Sequence, residues 1–218
     1  GPALKRPYSG EFIKNWLEYR AYSQWTNGGW GAHAYDMIQN AVGADDTGPV
    51  EIRPTAKRSY WEEPEAYNTP LRMRYASGLE VRLELIRGTG PDVGAIFVCE
   101  DAKIELNRHT YKSNPPDLIK ELPPDPDARQ EVTWAGRMGW MGRCHFRDWL
   151  ECIKTRRQPR AHGELAQRAG TVCCLTTIAR ICNRPLKWNP DTEQFVDDDE
   201  ANAMLDPPRR KGYALPEI

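Results

Sequence analysis

Leu71-Arg72-Met73-Arg74-Tyr75-Ala76-Ser77-Gly78-Leu79-Glu80-Val81-Arg82-Leu83-Glu84-Leu85 decides the fold class. Apolar and charged residues alternate strictly on both sides of Ser77-Gly78. A period of two puts Leu71, Met73, Tyr75, Val81 and Leu83 on one face and Arg72, Arg74, Glu80, Arg82 and Glu84 on the other. The two runs therefore predict half-buried antiparallel strands joined by a tight turn at Ser77-Gly78. Val50-Glu51-Ile52-Arg53 alternates in the same way upstream. Ala95 to Cys99 and Lys103 to Leu106 predict two further strands joined through Glu100-Asp101-Ala102, so the expectation is one sheet with a polar face.

Helical spacing flanks these strands. Ala34, Met37, Ile38, Ala41 and Val42 predict a helix over about 31 to 42, with Gly43 placed to end it. Ser113 to Pro126, rich in proline and acid, predicts a surface loop. Beyond it, Phe146, Trp149, Leu150 and Ile153 mark a helix closed near Arg156-Arg157-Gln158-Pro159. Leu165, Ala169, Val172, Cys173, Thr176, Ala179 and Cys182 mark a longer one that Asn183-Arg184-Pro185 ends. Strands followed by helices, rather than alternating with them, indicate an α+β fold: an open, predominantly antiparallel sheet with helices packed on one face. The 218 residues suit a single domain with its own core.

Composition narrows the function. Thirty basic residues stand against thirty-one acidic ones, with no basic stripe of the kind a phosphate backbone requires, so nucleic acid is not an expected partner. The longest apolar runs, such as Gly94 to Cys99, fall far short of the ~20 residues of a bilayer span. The compartment is left open. Six cysteines without C-x-x-C spacing read as reduced, buried thiols, and no metal site is expected. Eight Trp and eighteen Pro suit stiff, ordered loops around a pocket. Gly88-Thr89-Gly90-Pro91-Asp92-Val93-Gly94 has the wrong glycine spacing for a dinucleotide loop, carries a proline where amide donors are needed, and leads into a strand instead of a helix. It reads as a hairpin loop, and no nucleotide site is visible.

The chemistry concentrates in Asn27-Gly28-Gly29-Trp30-Gly31-Ala32-His33-Ala34-Tyr35-Asp36. A glycine-rich turn entering a helix brings backbone and side chains close to a ligand, and an imidazole three residues before a carboxylate shares a helix face with it. On the residues alone, His33 reads sooner as a packing or N-terminal helix histidine than as a functional one. His145 with Asp148, His109, His162 and the acidic run Asp197 to Glu200 read as solvated or capping groups.

Gly1-Pro2-Ala3 with Arg6-Pro7-Tyr8, Trp30-Gly31-Ala32-His33 with Asp36, Asp46 to Glu51, Gly94 to Val98 leading to Lys103 to Arg108, Ser113 to Pro116, and Leu186 to Pro190 through Gln194 to Asn202 occur in an informative order. Together they cover nearly the whole chain. The sequence resembles the C-terminal domain of the Gfo/Idh/MocA oxidoreductases, the family of glucose-fructose oxidoreductase and inositol dehydrogenase. The resemblance implies a substrate-binding and oligomerising half. Such relatives carry an N-terminal Rossmann domain with the nucleotide fingerprint and a catalytic lysine, and nothing in this chain corresponds to it. It implies NAD or NADP in the full-length parent and none for these residues alone, a sugar or polyol as substrate, and a homo-oligomer formed through the sheet face. It places His33 at the family's active-site histidine, with Tyr22, Trp25, Asn27, Trp30 and Asp36 as the residues around the substrate. Gly29 stands where many relatives have an Asp, and Gln24 and Trp25 stand where many have glycine. A sugar-binding or assembly module without chemistry, and part of an NAD-assisted glycosidase, are the alternative readings.

Overall fold

A computed structural model describes residues 9–14, 16, 25–58, 68–84, 94–107, 111–118, 134–207, 209 and 211–214, with the backbone alone at 12, 25–30, 117 and 134–141. In chain order the elements are α1 (Gly10–Lys14), α2 (Trp25–Ala41), β1 (Pro49–Pro54), β2 (Leu71–Tyr75), β3 (Glu80–Leu83), β4 (Gly94–Val98), β5 (Lys103–Asn107), β6 (Tyr111–Asn114), α3 (Trp134–Thr155), α4 (Gly163–Cys182), β7 (Leu186–Asn189), β8 (Gln194–Phe195) and α5 (Asp199–Ala203).

The fold is α+β, and every strand pairing is antiparallel. Instead of the one sheet expected, the described residues form two: five strands in the order β3-β2-β1-β7-β8, and three in the order β4-β5-β6. The chain returns after α4 and lays β7 beside β1, with Glu51 opposite Lys187 and Ile52 opposite Leu186. Alternation sets which face of a strand is buried, not which strand lies beside it. Residues 88–93 of the expected hairpin loop lie outside the described ones, and a strand does begin at Gly94.

The turn between β2 and β3 is as expected. Gly78 takes φ +91°, a left-handed conformation that suits glycine, and Tyr75 N donates to Leu79 O at 2.9 Å. The same rows hold Arg72 opposite Arg82 and Arg74 opposite Glu80. The buried side of the large sheet carries Ile52, Leu71, Met73, Leu186, Trp188 and Phe195, and α4 meets it with Val172, Leu175, Ile178 and Ala179. Trp188 and Phe195 pack edge to face, with centroids 5.0 Å apart. The other side is charged: Glu51 accepts from Arg74 at 2.9 Å, and Glu80 pairs with Arg82 at 2.7 Å and Arg72 at 3.7 Å.

Helix α2 runs along α4. It starts at Trp25, six residues before the expected start at 31, so Gly28, Gly29 and Gly31 lie within a helix and not in a tight turn. Each such glycine costs roughly 1 kcal/mol against alanine, and docking on a neighbouring helix can outweigh that preference. Its end is as expected: Gly43 has φ +66°, Gly43 N donates to Asn40 O at 3.2 Å and Ala44 N to Gln39 O at 2.8 Å, a Schellman cap.

Three further expectations change. Part of the Ser113 to Pro126 loop is strand β6, paired with β5 through Ser113 opposite Ile104, and residues 119–126 lie outside the described ones. Helix α3 begins at Trp134, and its apolar stripe is not buried: Phe146, Trp149, Leu150 and Ile153 are 67%, 54%, 51% and 45% exposed. Helical spacing shows that a face is apolar, but α4 already covers the inner face of the large sheet. Cys99 is exposed, whereas Cys152 and Cys173 are buried as expected; burial pushes the Cys173 thiol up to about 12.

Candidate functional site

Helix α2 has two faces. Tyr35, Ile38 and Gln39 are buried, and His33, Asp36 and Asn40 are exposed. The first set spans positions i, i+3 and i+4, and the second i, i+3 and i+7, so each is one stripe of the same helix. Tyr35 joins the core that α4 shares with the large sheet, and Ile38 is buried on the same stripe, which leaves the imidazole of His33 and the carboxylate of Asp36 together on the solvent side.

Partial desolvation and the charge of Asp45 raise the proton affinity of Asp36, while nearby His33 opposes them. Asp45 is itself held by Asn40, whose Nδ2 donates to Asp45 Oδ2 at 3.0 Å. The exposed edge of α2 therefore carries an imidazole, a carboxylate with a raised affinity for protons, and a second carboxylate at the helix end. Such an arrangement can accept a proton from a hydroxyl group and pass it to water. Asp45 escaped the sequence reading because it lies beyond the helix, in a turn whose proximity to Asp36 depends on the Gly43 cap.

The described backbone places Trp25, Asn27 and Trp30 in the first turns of α2, with Trp30 three residues upstream of His33. Tyr22 lies outside the described residues. Of the six candidate residues, His33 and Asp36 are thus brought together, and Trp25, Asn27 and Trp30 share their helix.

The remaining candidates serve the fold. Asp148 accepts from Arg160 N at 2.8 Å and Arg157 Nη2 at 2.6 Å, which tie the end of α3 to the following loop and hold its carboxyl low. His145 is exposed on α3. His162 is the N-cap residue of α4, its Nδ1 buried without a hydrogen-bond partner among the described residues. Asp198 caps α5 through Ala201 N at 3.1 Å, and its pairing with Arg184 holds it down at about 2. His109 lies outside the described residues. Among the described residues, no group of three or more His, Cys, Asp or Glu could hold a metal ion, and no helix is long and apolar enough to cross a membrane.

Residues 1–215 match the family model described as the oxidoreductase family, C-terminal alpha/beta domain, of the Gfo/Idh/MocA group. The chain belongs to this family. No curated protein and no solved structure matches it significantly. The strand-to-helix junction that cradles a dinucleotide's pyrophosphate is built on parallel strands, and among the described residues of this Gfo/Idh/MocA domain every strand pairing is antiparallel.

The raised pKa of Asp36 gives a prediction with a definite sign. A carboxyl whose folded pKa lies above its unfolded value stabilises the fold below the unfolded pKa, and that contribution is lost as pH rises through the folded pKa. Asp36→Asn removes the ionised, partly desolvated carboxylate. Thermal melts should therefore place Asp36→Asn above the parent at pH 7, with the difference closing as pH falls below the ordinary carboxylate range. A variant less stable at pH 7 by a margin that does not change with pH would contradict this.

Proposed function

We propose that this domain is the substrate side of an NAD(P)-dependent oxidoreductase acting on a secondary alcohol of a sugar or cyclitol. The observation that carries the reading is the solvent-facing His33, coupled to Asp36 on α2, in a domain of this oxidoreductase family. The nicotinamide, the hydride acceptor, would be held by a nucleotide-binding domain outside these residues. The domain's own work is to hold the alcohol and take its proton. His33 is the acceptor nearest to water, Asp36 is the neighbour that shares the proton, and Trp25 and Trp30 supply the aromatic area on which the apolar face of a sugar ring stacks. Tyr22 and Asn27 complete the set of residues proposed to line the substrate.

The same reading gives the outer face of the five-stranded sheet to a second copy of the chain. Arg53, Arg72 and Arg82 stand side by side across three strands, and Glu51, Arg74 and Glu80 form the next row. Like charges directly opposite each other destabilise a sheet. Acidic groups from a second copy, set across a two-fold axis, would offset the arginine row.

In the intact enzyme, His33→Ala should lower kcat by ~10²-fold or more with an unchanged melting temperature. Normal turnover in a folded His33→Ala protein would overturn the catalytic reading. Sedimentation at micromolar concentration should give a dimer or larger, weakened by Arg82→Glu. A monomer at every accessible concentration would remove the assembly role.

A further inference from the structure

Beneath α2 lies a polar contact that the proposed chemistry does not use directly. Tyr75, at the end of β2, donates its hydroxyl to Gln39 Oε1 at 2.6 Å. Gln39 Nε2 donates in turn to Ala44 O at 2.9 Å and Thr47 O at 3.0 Å, in the turn after the helix. Both side chains are buried, Gln39 at 2% and Tyr75 at 4% exposure.

We infer that Tyr75 is a positioning residue for His33, acting through Gln39 and the helix that carries both. This rests on the proposed role of His33. Apolar packing of Ile38 and Tyr35 holds α2 against its neighbours, but dispersion and burial are weakly directional and tolerate a small rotation of the helix about its axis. A hydrogen bond loses strength steeply as its distance and angle depart from the optimum. Tyr75 to Gln39 thus fixes the rotational phase of α2 from the large sheet. The bonds from Gln39 to Ala44 and Thr47 fix the end of the helix, and with it the turn that brings Asp45 near Asp36. His33 sits six residues upstream of Gln39 on the opposite, exposed stripe. A rotation that keeps the buried face apolar would still swing the imidazole away from a bound hydroxyl, and misplacement on the order of 1 Å can cost ~10²-fold in rate.

Tyr75→Phe removes the hydroxyl and keeps the ring in the core. Two readouts separate positioning from mere support. In the 218-residue chain, labelled at histidine, Tyr75→Phe should shift the ring resonances of His33, assigned by their loss in His33→Ala, and leave those of His145 and His162 in place. In the intact enzyme, assayed well below its melting temperature, Tyr75→Phe should lower kcat per folded molecule roughly tenfold or more with KM little changed. His33 resonances that stay in place in a folded Tyr75→Phe chain would overturn the inference. So would an unchanged kcat in an enzyme that His33→Ala disables. If Tyr75→Phe fails to fold, Gln39→Glu provides the second test. It keeps an acceptor for Tyr75 but loses the donor to Ala44 and Thr47, so it should move His33 less than it moves Asp45, and the reverse order would also overturn the inference. An enzyme indifferent to His33→Ala would instead overturn the proposed function, a separate and recognisable failure.

Discussion

The inner face of α4 is the surface on which the domain is assembled. Val172, Leu175, Ile178 and Ala179 are almost wholly buried, and they fill the space between α2 and the strands β1, β2 and β7. Burying a Val, Leu or Ile side chain is worth about 1.5–3 kcal/mol each, so this one face contributes much of the apolar free energy that orders the fold. Two arginines anchor the helix. Arg168 donates to Pro190 O at 2.9 Å near its start, and Arg180 to Thr69 O at 3.0 Å near its end. Asn183, in the left-handed region at φ 51°, then turns the chain so that β7 can return to β1. Without α4 the sheet would have no lid and β7 no route to its place.

The location of the candidate site follows from that packing. Because α2 is laid against α4, one of its faces is committed to the core, and the opposite face must meet solvent. His33 and Asp36 occupy that opposite face. The glycines that looked like a ligand-binding turn are part of the helix, so the candidate site is a helix edge and not a loop. Its precision depends on how firmly the helix is held, which is why a buried tyrosine on β2 bears on an exposed histidine on α2.

Much of this was legible in the sequence, for a physical reason that differs from element to element. The alternation in 71–85 sets which side chains are buried, and Ser77-Gly78 sets the turn, because both are local properties. Gly43 and Asn183 end α2 and α4 where their backbone conformations demand it. What was not legible is long-range. Nothing local in Leu186 to Asn189 says that it pairs with β1, more than 130 residues earlier. The stripe on α3 has the spacing of a core helix yet faces outward, because α4 covers the inner face of the large sheet. His33 and Asp36 were identified by type, spacing and resemblance. Asp45, Gln39 and Tyr75 were not, because their proximity exists only once the turn and the sheet have formed.

Under the proposed function, these residues hold the alcohol and another domain holds the cofactor. Amide resonances of the isotopically labelled 218-residue chain, titrated separately with hexoses, cyclitols and NADH, test it most directly. Saturable shifts are expected along the first three turns of α2, from Trp25 to Asp36, with at least one of the polyols, and none with NADH. Saturable binding of NADH by this chain, or polyol shifts confined to the outer face of the five-stranded sheet, would contradict it.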